Sequence, residues 1–108
     1  MRYPKMLLAA AIAALFAAPL SAHAANIKIG FIMVFTGPEA IGGQQVGRGV
    51  DLFVKQHPQV PGGHKLEILR RDTAGPAPDR AKRLAEELIV RDKVDMIIGL
   101  QFSPEAFA

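Results

Sequence analysis

The chain has 108 residues, 50% hydrophobic and 21% charged, with a formal net charge of +3 and no cysteine. The missing cysteine excludes a disulfide framework, a thiolate metal site, a catalytic cysteine and a lipid tether through a cysteine at the cleavage site. Arg2 and Lys5 account for two of the +3 charges; the rest of the chain is near neutral and gives no electrostatic case for nucleic-acid binding.

Arg2 and Lys5 precede an uncharged, Ala- and Leu-rich stretch from Met6 to Ala18. Pro19 breaks it, and Ala22-His23-Ala24 puts small residues at the two positions that signal peptidase reads. The pattern is a secretory signal peptide over residues 1–24, cleaved after Ala24. A membrane anchor is the weaker reading, because the stretch is too short to cross about 30 Å of hydrocarbon at roughly 1.5 Å per residue. No second long apolar run follows, so the exported product is expected to be soluble, with no membrane insertion after leader removal. Without a cysteine tether, the expected location is a periplasm.

Residues 25–108 read as alternating strands and helices. Ile27–Phe35 is almost wholly apolar, as suits a strand buried on both faces of a parallel sheet. A Gly/Pro loop from Thr36 to Gly43 follows. Gln44–Gln56 has Val46, Val50, Phe53 and Val54 at helical spacing. Gly47 and Gly49 weaken that helix intrinsically, which implies compensation by close packing on the sheet. His57-Pro58 ends it and Pro61-Gly62-Gly63 turns the chain. Lys65–Arg71 is a second strand and Asp72–Pro78 a loop. A second helix opens at Pro78 with Asp79 in its first turn and a stripe of Ala81, Leu84, Ala85 and Leu88. Arg83/Glu87 and Glu87/Arg91 are spaced to pair along its wet face. Val94–Ile98 is a third strand, and Pro104 opens a third helix.

The order β-α-β-α-β-α predicts an open, parallel α/β sheet. Common doubly wound arrangements place the second and third strands on opposite sides of the first. The loops after Ile27–Phe35 and Val94–Ile98 then face each other at the switch point, where such sheets bind small ligands.

Several motifs have plainer readings. Gly37 and Gly42 meet the first spacing of a phosphate loop, but Gly43 and Gln44 stand where the lysine and hydroxyl would be, so nucleotide binding loses its mechanism. His57 and His64 flank a turn without a third ligand, which favours surface histidines over a metal site. Arg70-Arg71-Asp72 ends a strand and reads first as a solvated strand end, second as a contributor to a cleft. No Ser/His/Asp set or paired carboxylates can be assembled. Phe102-Ser103-Pro104-Glu105 reads as a helix start with Ser103 as N-cap. The same place could hold a carboxylate through the Ser103 hydroxyl and nearby amides.

Ile27-Lys28-Ile29-Gly30, Thr36-Gly37-Pro38-x-Ala40-x-x-Gly43, Gly47 to Val54, a strand ending in Asp72, and Val94-Asp95-Met96-Ile97-Ile98-Gly99 together resemble the periplasmic solute-binding proteins of branched-chain amino-acid ABC transporters (leucine-binding-protein-like, type I periplasmic binding fold). The resemblance implies two α/β lobes closing on a ligand, with residues 25–108 as an incomplete amino-terminal lobe. It places Ser103 on the serine that binds the ligand carboxylate, with Gln101 and Phe102 lining the same wall. Family members usually carry a bulky, ligand-contacting residue just before the second glycine of the first loop. Here that position is Gly42, preceded by Ile41, which implies a roomier pocket and a lean toward aromatic carboxylates.

The expected function is therefore that of an exported, non-enzymatic binding component of an ABC importer. It would take a small organic carboxylate, an amino acid or aromatic acid, and present it to a permease in the inner membrane, with no cofactor and no nucleic acid. Two alternatives stay open: an exported α/β hydrolase or oxidoreductase with its catalytic residues beyond Ala108, and a receptor or sensor ectodomain on the same fold. Stopping at Ala108 would leave Val94–Ile98 as an apolar edge strand. On this reading the chain is an amino-terminal fragment, and residues 25–108 alone neither fold cooperatively nor bind.

Overall fold

A computed structural model describes residues 24–108; the expected leader lies outside the described residues apart from Ala24. The elements run β1 (Ile27–Met33), α1 (Ala40–Gln56), β2 (Leu66–Asp72), α2 (Pro78–Val90), β3 (Met96–Gly99) and α3 (Ser103–Ala106). The sheet order is β2-β1-β3, and both pairings are parallel. β1 is thus the central strand, with Ile29 opposite Ile68 on one side and opposite Met96 on the other. Its residues alternate between the two faces, as the pleat requires. Gly30 faces Leu88 of α2, while Ile29 shares the opposite face with Val50 and Phe53 of α1.

The core sits where these layers meet. Phe31, Ile32, Val34 and Leu88 are each at most 1% exposed. Burying a side chain of this size contributes about 1.5–3 kcal/mol. Ala81 on the inner face of α2 lets that helix lie close. The Arg71 guanidinium crosses from β2 to the far end of α2, bonding Glu87 at 3.1 Å and Asp92 at 2.6 Å. Glu87 also pairs with Arg91, as the spacing implied, but its second partner is Arg71 and not Arg83.

α1 begins at Ala40, four residues before the Gln44 start implied by propensity, so Ile41, Gly42 and Gly43 lie in its first turn and not in a loop. The cause is tertiary. A Cβ at Gly43 would stand 1.9 Å from the Val34 carbonyl oxygen, so only glycine lets the helix touch the strand end here. Gly47 is also buried, against Phe35 and Arg70, whereas a Cβ at Gly49 would meet nothing within 4 Å. The compensation expected for both helix glycines therefore holds for Gly47 alone. Arg70 secures this end of α1, donating to Gly47 O at 3.0 Å and Asp51 Oδ1 at 2.6 Å, with its guanidinium over the Phe31 and Phe35 rings. Farther along, α1 stands off the sheet. Val46 and Phe53 stay 48% and 50% exposed beside an apolar concavity of about 460 Å3 that Ile29, Leu66, Ile68 and Ile98 also line.

Two strand boundaries also differ from the sequence pattern. β1 ends at Met33 because the next amides turn to side-chain partners, Phe35 N–H to Asp72 Oδ1 at 2.8 Å. β3 spans Met96–Gly99 and not Val94–Ile98, because Val94 N–H is spent on Leu88 O at the exit of α2. β3 is the sheet edge, with Met96 half exposed. Among the described residues no helix is long and apolar enough to cross a membrane.

Candidate functional site

The carboxyl ends of β1 and β3 are neighbours, and their loops meet. After β3 the chain must turn sharply toward β1. Gly99 and Leu100 do this with φ of +103° and +68°, and Leu100 N–H bonds Ile32 O at 2.7 Å. A Cβ at Gly99 would lie 2.1 Å from Ile32 O, so the turn demands glycine twice, for its dihedral and for its clearance. Gln101 then reaches across the switch point, its Nε2 donating to Glu39 O at 3.3 Å. Opposite it is Gly42, where a Cβ would stand 3.4 Å from the same Nε2. The space that a side chain at position 42 would take is filled by the Gln101 amide. Gln101 Oε1 is buried without a hydrogen-bond partner.

Phe102 is half-buried with extended backbone, and Ser103 follows it, exposed. The N-cap of α3 is Phe102, so Ser103 is the first helical residue and its side chain makes no cap bond. That corrects the reading of Ser103 as N-cap. The physical reason is Glu105. Its carboxylate folds back to accept from Phe102 N–H at 3.3 Å, and its own amide donates to Phe102 O at 3.0 Å, so the turn closes on Phe102 and not on Ser103. α3 is a single turn of four residues. It supplies little helix dipole, so any anion held here depends on the Ser103 hydroxyl and local amides. Ile41 is 69% exposed on the outer surface of α1's first turn, beside Gly42. The structure therefore brings Gln101 against Gly42; Phe102 and Ser103 follow Gln101 in the chain, and Ile41 is exposed next to Gly42.

Two acidic residues that the motif reading named without giving them a bracing role hold these loops together. Asp72 Oδ1 accepts from Phe35 N–H and Ala74 N–H, both at 2.8 Å, and Oδ2 accepts from Thr36 Oγ1 at 2.5 Å. One carboxylate thus ties the β1 loop to the β2 loop. Burial works to raise the Asp72 pKa, but the bonds from Thr36, Phe35 and Ala74 outweigh it and hold the carboxyl below its ordinary 3.8. Glu105 is 4% exposed and also accepts from Ala77 N–H at 3.2 Å, which ties the β3 loop to the entry of α2. Its signal in the sequence was the glutamate three residues after the true N-cap. Arg70 and Arg71 are absorbed by Asp51, Glu87 and Asp92, not turned into a cleft. His57 bonds Phe53 O and His64 bonds Ala25 O. Among the described residues no three His, Cys, Asp or Glu side chains converge as a metal site. A separate concavity of about 630 Å3 lies over the β2–α2 loop, lined by Thr73, Pro76, Asp79, Arg80 and Arg83.

The described residues form a parallel α/β lobe in which the loops after β1 and β3 meet at the switch point. Residues 26–108 match the periplasmic binding protein family, and the chain belongs to it. The chain is 34% identical over 98 residues to a Leu/Ile/Val-binding protein homolog of Brucella abortus, covering 91% of this chain and 25% of that protein. It is similar to the solute-binding protein of an R. palustris ABC transporter in complex with 4-hydroxybenzoate, at 44% identity and a TM-score of 0.70, over 75% of this chain and 22% of that one. A second R. palustris solute-binding protein, in complex with benzoate, matches at 30% identity and a TM-score of 0.69, over 77% of this chain and 23% of that one. The chain spans about a quarter of the length of these relatives.

Proposed function

We propose that residues 25–108 form part of the amino-terminal lobe of an exported, non-enzymatic solute-binding protein, and that the full-length protein binds a small organic carboxylate between two lobes for an ABC importer. The carrying observation is the meeting of Gln101 with Gly42 across the β1–β3 switch point, beside the exposed hydroxyl of Ser103. On this reading Ser103 holds the carboxylate, and Gln101, Phe102, Gly42 and Ile41 line or rim the same wall. Relatives bound to 4-hydroxybenzoate and benzoate support an aromatic carboxylate over an aliphatic amino acid. Residues 1–24 act as a cleaved leader that delivers the protein to the periplasm, and the closed form meets a permease in the inner membrane.

Calorimetric titration tests the assignment. Ser103→Ala in the full-length protein is expected to weaken 4-hydroxybenzoate or benzoate binding by about 1–3 kcal/mol, the cost of leaving a charged acceptor without one donor. Unchanged affinity would remove Ser103 from the site.

A further inference from the structure

We propose that Glu105 is the positioning residue of the ligand wall, fixing Phe102 and thereby the backbone position from which Ser103 presents its hydroxyl. The inference rests on the binding reading above. Between Gly99 and Ser103 the chain has no regular structure of its own to hold it, and two consecutive residues sit in the left-handed region. Local propensity does not select that path, because a non-glycine residue such as Leu100 is disfavoured there. The path is held from outside at three points: Leu100 N–H on Ile32 O, Gln101 Nε2 on Glu39 O, and Phe102 N–H on Glu105 Oε2. The third lies immediately before Ser103.

Glu105 does more than close its own turn. Its Oε2 accepts from Phe102 N–H and its Oε1 from Ala77 N–H at 3.2 Å, so the wall is braced against the entry of α2. A carboxylate buried this deeply, at 4% exposure, is costly unless its oxygens are satisfied. An apolar side chain could fill the same space without that cost, but it could not orient two amides. The Ser103 hydroxyl makes no hydrogen bond among the described residues, so what Glu105 fixes is the backbone from which that hydroxyl projects in one of its staggered rotamers.

The test is a comparison of Glu105→Ala, Glu105→Gln and Ser103→Ala in the full-length protein, with 4-hydroxybenzoate, benzoate and isoleucine as probes and with Kd and Tm read side by side. Glu105→Ala is expected to weaken binding about tenfold, the equivalent of one well-made hydrogen bond. Glu105→Gln keeps one acceptor oxygen and is expected to recover only part of that loss, binding about threefold more weakly than wild type, while losing protection from hydrogen exchange at either Phe102 or Ala77. In a Ser103→Ala background the Glu105→Ala loss should fall to under about twofold, since Glu105 acts through Ser103. A purely structural role would lower Tm and leave the two losses independent. If Glu105→Ala fails to fold, Glu105→Gln decides: weaker binding at unchanged Tm supports the inference, and wild-type affinity overturns it. Wild-type binding with both Glu105 variants at full affinity overturns this inference alone. A wild-type protein that takes none of the three probes overturns the binding reading, and this inference with it.

Discussion

Adding one methyl group at Gly43 should separate α1 from the sheet. An alanine Cβ there would lie 1.9 Å from Val34 O and 2.8 Å from Val34 C. An unstrained carbon–oxygen contact is about 3.3–3.6 Å, so the helix must retreat by more than about 1 Å. The obstacle is backbone and cannot rotate away. Overpacking of this kind costs about 1–3 kcal/mol, and a rigid obstacle puts Gly43→Ala at the upper end. Replacing a helix glycine by alanine returns about 1 kcal/mol through propensity. The net expectation is a loss of about 2 kcal/mol. Gly49→Ala is the matched control: nothing lies within 4 Å of its Cβ position, so only the propensity gain remains, about 0.5–1 kcal/mol of added stability. Urea unfolding of the full-length protein, each variant against wild type, reads both signs. A Gly43→Ala protein as stable as Gly49→Ala would refute the close approach that sets the start of α1. Retreat of the helix also carries Gly42 away from Gln101, so Gly43→Ala should weaken ligand binding while Gly49→Ala leaves it unchanged.

Asp72→Asn keeps the oxygen that serves Phe35 and Ala74 but loses the charge and the Thr36 acceptor, and is expected to cost about 1–2 kcal/mol. Because the folded-state pKa of Asp72 is depressed, its contribution is full above the ordinary value of 3.8 and is lost as pH falls through the lower folded-state value. Stability curves of wild type and Asp72→Asn should therefore run parallel above pH 5 and converge in acid; a constant gap down to the lowest pH would contradict the bonding described. Residues 25–108 expressed alone should melt without a sharp transition. The apolar stand-off beneath α1 and the open edge at β3 leave Val46, Phe53 and Met96 about half exposed. A steep two-state melt of that piece would show that its core is sufficient.

The sheet was legible because its signals are local and redundant. Ile27–Phe35 and Val94–Ile98 are apolar runs of strand length, the helical stripes lie between them, and β-α-β connectivity leaves few parallel arrangements. The neighbourhood of β1 and β3 followed from that, and Phe31 opposite Ile98 bears it out. Boundaries were less legible, because each is set by a partner outside the element itself. Asp72 ends β1 through Phe35, Leu88 takes the Val94 amide, and Val34 makes Gly43 a helix residue although its propensity argues for a loop. The same holds around the site. That the segments carrying Gly42 and Gln101 face each other could be read from the pattern, although Gly42 belongs to the first turn of α1 and not to a loop. The braces, Asp72 and Glu105, could not, since a strand-end aspartate and a third-position glutamate look alike whether they face water or bind another loop's amides.

On the proposed function, a small carboxylate sits at the meeting of β1 and β3, with Ser103 as its donor. A crystal structure of the full-length protein grown with 4-hydroxybenzoate tests it most directly. The account predicts carboxylate density within hydrogen-bonding distance of Ser103 Oγ, with Gln101 and Gly42 alongside. A ligand well resolved elsewhere, with Ser103 facing solvent, would contradict it.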